Sequence, residues 1–177
     1  MSKRSEARIY TIGHSNRSIE EFLQILDVYK LKLVIDIRTI PKSRHNPQFS
    51  QDRLSTALEK HGIEYEHMPG LGGLRHTTKA SVNTAWRNPS FRGFADYMQT
   101  DEFKSHLKRL IAPSKRKRLV IMCAEAVPWR CHRSLIGDAL FARGIPIEDI
   151  LSQTSHRPHR LTSFAKIEGE NVTYPEE

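Results

Sequence analysis

The sequence predicts an α/β fold, a mostly parallel open sheet flanked by helices in three layers. Three observations predict it. Short apolar, β-branched runs alternate along the chain with stretches of helical period, the pattern of βαβ units. One run, Leu119 to Met122, is apolar without interruption, as a strand buried on both faces requires. Each proposed strand is followed by glycine, proline or polar residues, which places these groups at one edge of a sheet with right-handed crossovers.

The elements follow in order. Arg8 to Ile12 is a short strand ending at Gly13. Ser18 is an N-cap, and Glu21 three residues later completes a capping box. Ile19, Phe22, Leu23, Ile25 and Leu26 form the stripe of the helix that follows. Leu31 to Ile37 is the second strand. Ser50 caps a helix through His61 with Leu54, Ala57 and Leu58 on one face, and Gly62 stops it. Ile63 to His67 alternates as a third strand and runs into Pro69.

Met68 to about Pro89 is loop-like, and an irregular span of that length is usually functional or mobile. Phe91 to Met98 and Asp101 to Ile111 form one broken helix or two consecutive helices. Pro113 to Arg118 is a basic turn before the Leu119 strand. Cys131 to Arg143 is an amphipathic helix through Leu135, Ile136, Ala139, Leu140 and Ala142, with Gly144 past its end. Ile145 to Leu151 is the last strand. The tail from Ser152 is polar, with a terminal hairpin between Leu161 and Tyr174 turning at Glu168 and Gly169. The organisation is a single domain over 1–177, with its core at about 8–151 and a polar extension at 152–177.

Composition narrows the function classes. The chain has 177 residues, 38% apolar and 27% charged, which suits one globular domain. Lys and Arg number 28 against 20 Asp and Glu, a net charge of +8 and a pI near 9.7. No apolar run approaches the ~18–20 residues of a bilayer span, and MSKRSEARIY lacks the apolar stretch of a secretory signal. The expectation is a cytoplasmic protein without a membrane partner. Two cysteines are too few for a disulfide scaffold.

Ligands of open α/β sheets bind outside the carboxyl ends of the strands. Gly13, His14 and Ser15 follow the first strand. Asp36, Ile37 and Arg38 end the second, followed by Arg44. Pro69, Gly70, Gly72, Gly73 and Arg75 follow the third. Cys123, Ala124 and Glu125 follow the fourth, then Trp129, Arg130, Cys131, His132 and Arg133. Cys123 and Cys131 are the candidate nucleophiles. A helix N-terminus and the cations Arg130, His132 and Arg133 favour a thiolate at Cys131, whereas Cys123 at a strand end sits where loop N–H groups can cradle it. Either thiol also suits a plain core position. Glu125 and His14 are candidate proton carriers, and each equally suits a bracing role. Ser15 and His132 complete the candidate binding set. Arg38, Arg44, Arg130 and Arg133 together suit a grip on phosphate, sulfate or carboxylate. The expected partner is a small anionic or nucleotide-like ligand.

Cys123, Cys131, His132 and His156 are the conceivable metal ligands, but the Cys-x7-Cys spacing matches no common zinc pattern, so no metal is expected. The dinucleotide and P-loop glycine signatures are absent, and no cofactor is expected. Nucleic acid is the second class of partner. It rests on the basic cluster Lys115 to Arg118, on Arg157, His159 and Arg160, and on Trp86, Phe91, Phe94 and Tyr97 as stacking surfaces. In that reading the cysteines are structural.

The blocks Tyr10-Thr11-Ile12-Gly13-His14-Ser15, Asp36-Ile37-Arg38, Met122-Cys123-Ala124-Glu125 and Cys131-His132-Arg133 carry a resemblance to the family called domain of unknown function 488, from about residue 8 to residue 151. That family name leaves the activity open. More distantly, Val34 to Arg38, Leu119 to Cys123 and Arg133-Ser134 with Leu140 and Gly144 resemble rhodanese-like domains. This implies a rhodanese-like or flavodoxin-like three-layer arrangement. It also implies sulfurtransferase-like or hydrolase and transferase chemistry, because in that family the strand-end cysteine carries a persulfide sulfur. Related phosphatases place an arginine six positions after the cysteine. Here Trp129 holds that position and Arg130 follows it.

Overall fold

Along β4 (Leu119–Cys123) side chains point alternately to the two faces of the sheet, and both faces of this strand are buried. Val120 and Met122 join a core with α1 (Ile19–Val28) and α2 (Gln51–Lys60). Leu119, Ile121 and Cys123 join the opposite core with α3 (Pro89–Tyr97), α4 (Asp101–Ser114) and α5 (Arg133–Ala142). That alternation makes the three layers, and it points Cys123 toward α5.

The computed structural model describes residues 8–177. The other strands of the main sheet are β1 (Ile9–Gly13), β2 (Leu33–Asp36), β3 (Glu64–His67), β5 (Ile147–Ile150) and β6 (His156–Pro158). Their order is β3-β2-β4-β1-β5-β6, parallel throughout except for β6, which pairs antiparallel with β5. The chain thus winds outward from β1 to β3, returns to place β4 beside β1, and continues to β5. The helices leaving β1 and β4 lie on opposite faces, so their carboxyl ends form the switch point at which such sheets bind ligands.

Local chemistry explains the element ends. Ser18 Oγ accepts from the Glu21 N–H at 3.1 Å, but the Glu21 carboxylate turns to Arg17 at 3.7 Å, so only half of the capping box forms. Ser50 precedes α2 without a side-chain cap. The span between Phe91 and Ile111 is two helices, capped by Asn88 and Thr100. Pro113 lies inside the last turn of α4 rather than opening a turn, where only one ladder bond is lost.

The largest departure is at the C-terminus. The polar tail supplies β6 and a hairpin of β7 (Lys166–Glu168) and β8 (Asn171–Thr173), turning at Gly169 with φ +63°. It covers the second side of α5. Tyr174 is fully buried and its hydroxyl donates to Asp138 at 2.8 Å. A Cβ on Gly137 would come within 2.6 Å of the His159 ring. Hence α5 is not amphipathic as its apolar stripe suggests: Arg133, Gly137 and Asp138 are buried with its leucines. No helix among the described residues is long and apolar enough to cross a membrane.

Candidate active site

A cleft of about 360 Å³ opens over the carboxyl ends of β2 and β4. Cys123, Cys131 and His132 line it together with Arg38, Glu125 and Arg130. Ile40 and Leu74, exposed at 60% and 69%, border it with Phe91. Three larger hollows, of about 1140, 700 and 450 Å³, lie at the C-terminal hairpin, beside β3 and on α2, away from both thiols.

Cys123 reaches the cleft because the strand ends there. β1 and β4 continue their ladder one step, with His14 N–H donating to the Cys123 carbonyl at 2.8 Å and Ser15 N–H to that of Ala124 at 3.0 Å. The chain then folds back over Gly13. A Cβ at Gly13 would lie 1.5 Å from the Glu125 carbonyl oxygen, so only glycine admits this loop. Gly13→Ala is expected to cost about 2–3 kcal/mol as an overpacking substitution and to displace Cys123; urea unfolding and the alkylation profile of Cys123 measure both effects.

Cys131 is buried just ahead of α5, after a 3-10 turn at Pro128–Arg130. The helix therefore starts at Arg133, two residues later than the expected start at Cys131. Cys131 Sγ accepts the Arg133 N–H at 3.4 Å and lies 3.6 Å from His132 Nδ1. His132 Nε2 contacts the Leu71 carbonyl at 3.0 Å. A carbonyl only accepts, so Nε2 carries the proton and Nδ1 is bare toward Cys131. Burial lowers the His132 pKa to about 4, so the ring is neutral.

The two thiols line the same cleft and their environments pull them apart. Burial opposes ionisation of Cys123, but the neighbouring Cys131 thiol, the Arg133 charge and the backbone at Glu125 prevail, and its pKa falls below the ordinary thiol value. Burial pushes Cys131 well up, and the neighbouring Cys123 adds to the rise. The local argument for a thiolate at the helix N-terminus is thus outweighed by burial, and the acidic thiol is Cys123.

His14 is buried and stacks on Phe49 with centroids 4.4 Å apart. Its Nδ1 meets the Ser15 carbonyl at 2.7 Å and its Nε2 faces Arg38 Nη1 at 3.4 Å. Burial lowers its pKa to about 4. It is a neutral acceptor holding Arg38. Ser15, at φ 51°, donates its N–H to the loop after Cys123 and does not line the cleft. Asp36 grips Arg38 twice, at 2.9 and 2.7 Å, and accepts from Tyr65 at 2.6 Å. These contacts occupy three of the five guanidinium N–H groups.

The four arginines do not converge. Arg38 and Arg130 line the cleft. Arg44 is exposed and outside the cleft lining. Arg133 lies inside the protein, donating to Thr11 at 2.9 Å and to the carbonyls of Glu125 and Ala126 at 3.2 Å. It holds the loop after Cys123 from below. Glu125 and Arg130 are exposed, and neither joins an ion pair among the described residues. Thr39, Ile40, Leu74 and Ser90 also line the cleft and escaped sequence reasoning, beside Gly73 from the edge after β3 and Phe91, which sequence singles out only as a stacking surface. Thr39, Ile40 and Leu74 come from spans without period, and the 68–89 loop was the signal that pointed to Leu74.

Of the proposed stacking residues, Phe94 and Tyr97 are buried in the core and Trp86 packs against it. Lys117 pairs with Glu64, and Arg118 donates to Tyr29 and Tyr10. No group of three or more potential ligands for a metal ion forms among the described residues.

A family model described as domain of unknown function DUF488 matches residues 18–140. No curated protein and no solved structure matches the chain. The family match runs from the cap of α1 into the end of α5, and so takes in β2, β4, both cysteines and Arg133. Since it covers more than half of the chain, the protein belongs to the DUF488 family.

Proposed function

We propose that the protein is a cysteine-dependent transferase that acts on a small anionic or nucleotide-like substrate, with Cys123 as the nucleophile. One observation carries the reading: two thiols at the floor of one cleft are pulled in opposite directions, and the acidic one sits at the carboxyl end of the central strand. A thiolate is the reactive form of cysteine, and nucleophiles are activated by a lowered pKa. Arg38 and Arg130 supply positive charge beside it, as developing negative charge requires. Ile40, Leu74 and Phe91 offer an apolar border to the rest of the substrate. Glu125, exposed at the same cleft, is the group placed to move a proton. The motif resemblance to rhodanese-like domains favours sulfur transfer within this class.

Binding to nucleic acid with structural cysteines is the competing reading. The core positions of Phe94 and Tyr97 take two of its four stacking residues out of reach of a base. Iodoacetamide alkylation at a series of pH values, followed residue by residue by peptide mass spectrometry, separates the two. Cys123 is expected to react with a midpoint below the ~8.5 of a free thiol, and Cys131 to stay inert through that range. Equal inertness of both thiols, or a faster Cys131, rejects the transferase reading.

A further inference from the structure

Cys131 has no part in holding substrate charge, yet it is buried against the nucleophile. Its chemistry is that of a second thiol within reach of the first. Both sulfurs line the same cleft and belong to the same packed core. Only the loop from Ala124 to Arg130 separates them in sequence. Cys131 is also oriented for attack: the bare Nδ1 of His132 lies 3.6 Å from its sulfur and accepts its hydrogen bond. The Arg133 N–H, at 3.4 Å, stabilises the charge left behind. His132 is fixed for this by the Leu71 carbonyl, on the far side of its ring.

We propose that Cys131 is a resolving thiol, and that the protein cycles between a Cys123–Cys131 dithiol and a disulfide while cleaving a sulfur–sulfur bond in its substrate. This rests on Cys123 being the nucleophile. In the first step the Cys123 thiolate attacks one sulfur of a low-molecular-weight disulfide. A Cys123–substrate mixed disulfide forms, and the second half of the substrate leaves as a thiolate. In the second step the Cys131 thiol, hydrogen-bonded to His132 Nδ1, attacks the Cys123 sulfur. The Cys123–Cys131 bond forms, and the retained half leaves with the Cys131 proton as a thiol. One disulfide is reduced to two thiols and the protein dithiol is oxidised. A persulfide substrate follows the same path and leaves as a thiol and hydrogen sulfide. Two equivalents of a small thiol reverse the cycle. Exchange of this kind runs from a thiolate through a mixed disulfide, and the structure supplies the thiolate and the second sulfur in one cleft.

The test uses the full-length protein and glutathione disulfide, read by intact mass and by peptide mapping. Wild type is expected to lose the two thiol hydrogens and to keep no adduct. Cys131→Ser is expected to retain glutathione on Cys123, and Cys131→Ala serves where serine disturbs the core. Cys123→Ser is expected to remain unmodified. A wild-type protein that keeps glutathione on Cys123 like the Cys131 variants overturns the resolving role and leaves the nucleophile standing. No adduct on Cys123 in wild type or in either Cys131 variant overturns both. An adduct on Cys131 in Cys123→Ser reverses the assignment and overturns it as well.

Discussion

Arg133→Met is expected to lower stability by about 3–5 kcal/mol, the cost of breaking a buried charge network from one side, and to raise the pKa of Cys123. Arg133 is 1% exposed. It donates to Thr11 at 2.9 Å, Thr11 donates to Asp149 at 2.5 Å, and His159 bridges Asp149 at 3.5 Å and Asp138 at 2.9 Å. Tyr174 and Thr162 close the chain on Asp138. Two cations thus face two carboxylates in the interior. Methionine fills most of the volume, but it leaves the acids in excess and frees the carbonyls of Glu125 and Ala126. The effect on Cys123 has a separate cause, because the Arg133 charge is one of the influences that favour its thiolate. Urea unfolding and the alkylation profile of Cys123 report the two effects independently. Arg133→Lys keeps the charge and loses the fork, so it should recover most of the Cys123 profile and little of the stability. A loss below about 1 kcal/mol, ordinary for surface substitutions, or an unchanged Cys123 profile would refute the structural account of Arg133.

The same residue shows where the sequence was legible. The uninterrupted apolar run from Leu119 was enough to bury the strand on both faces and to put Cys123 at its end. The blocks after the strands did come to one edge, because parallel topology forces every strand to end on the same side. What could not be told was the direction of each side chain beyond the edge. By its charge Arg133 suits an anion ligand, but it shares a helical stripe with Ile136 and Leu140 and so points inward. His14 and His132 were assigned by residue type, and their roles depend on carbonyls of Ser15 and Leu71 that no spacing reveals. The tail was read as an extension because it is mostly polar. Its contribution lies in Val172 and Tyr174, with Gly169 as the turn.

Stability is expected to peak near pH 6.5 and to fall on both sides, for reasons that reside in three histidines. His159 is held protonated by Asp138 and Asp149 against the cost of burial, with a pKa of about 9 against an ordinary 6.5. Between those values the folded protein keeps a proton that the unfolded chain has lost. Its contribution is therefore complete below pH 6.5 and disappears as pH rises through 9. His14 and His132 are the reverse. Burial keeps both neutral down to about 4, so below pH 6.5 the unfolded chain takes up protons that the folded protein refuses. Their contribution is complete above pH 6.5 and is lost as pH falls toward 4. Each histidine shift is worth on the order of 3 kcal/mol, and two histidines act on the acid side against one on the alkaline side, so the acid slope should be the steeper; Cys131, raised by burial, adds to the alkaline loss only above the ordinary thiol range. Cys123 opposes His159, because a thiol acidified in the fold adds stability as pH rises through its titration; Cys123→Ser removes that contribution. Asp149 and Asp96, both lowered by hydrogen bonds against the cost of burial, add losses only near and below the ordinary carboxylate pKa of 3.8. Urea unfolding from pH 4.5 to 9.5 should trace the peak in the Cys123→Ser background. His159→Gln should flatten its alkaline side alone, and His14→Gln should shallow its acid side alone. A stability that keeps rising from pH 7 to 9 would mean that His159 is not the charged centre of the buried cluster. The balance of two cations against two carboxylates beneath the cysteine loop would then fail with it.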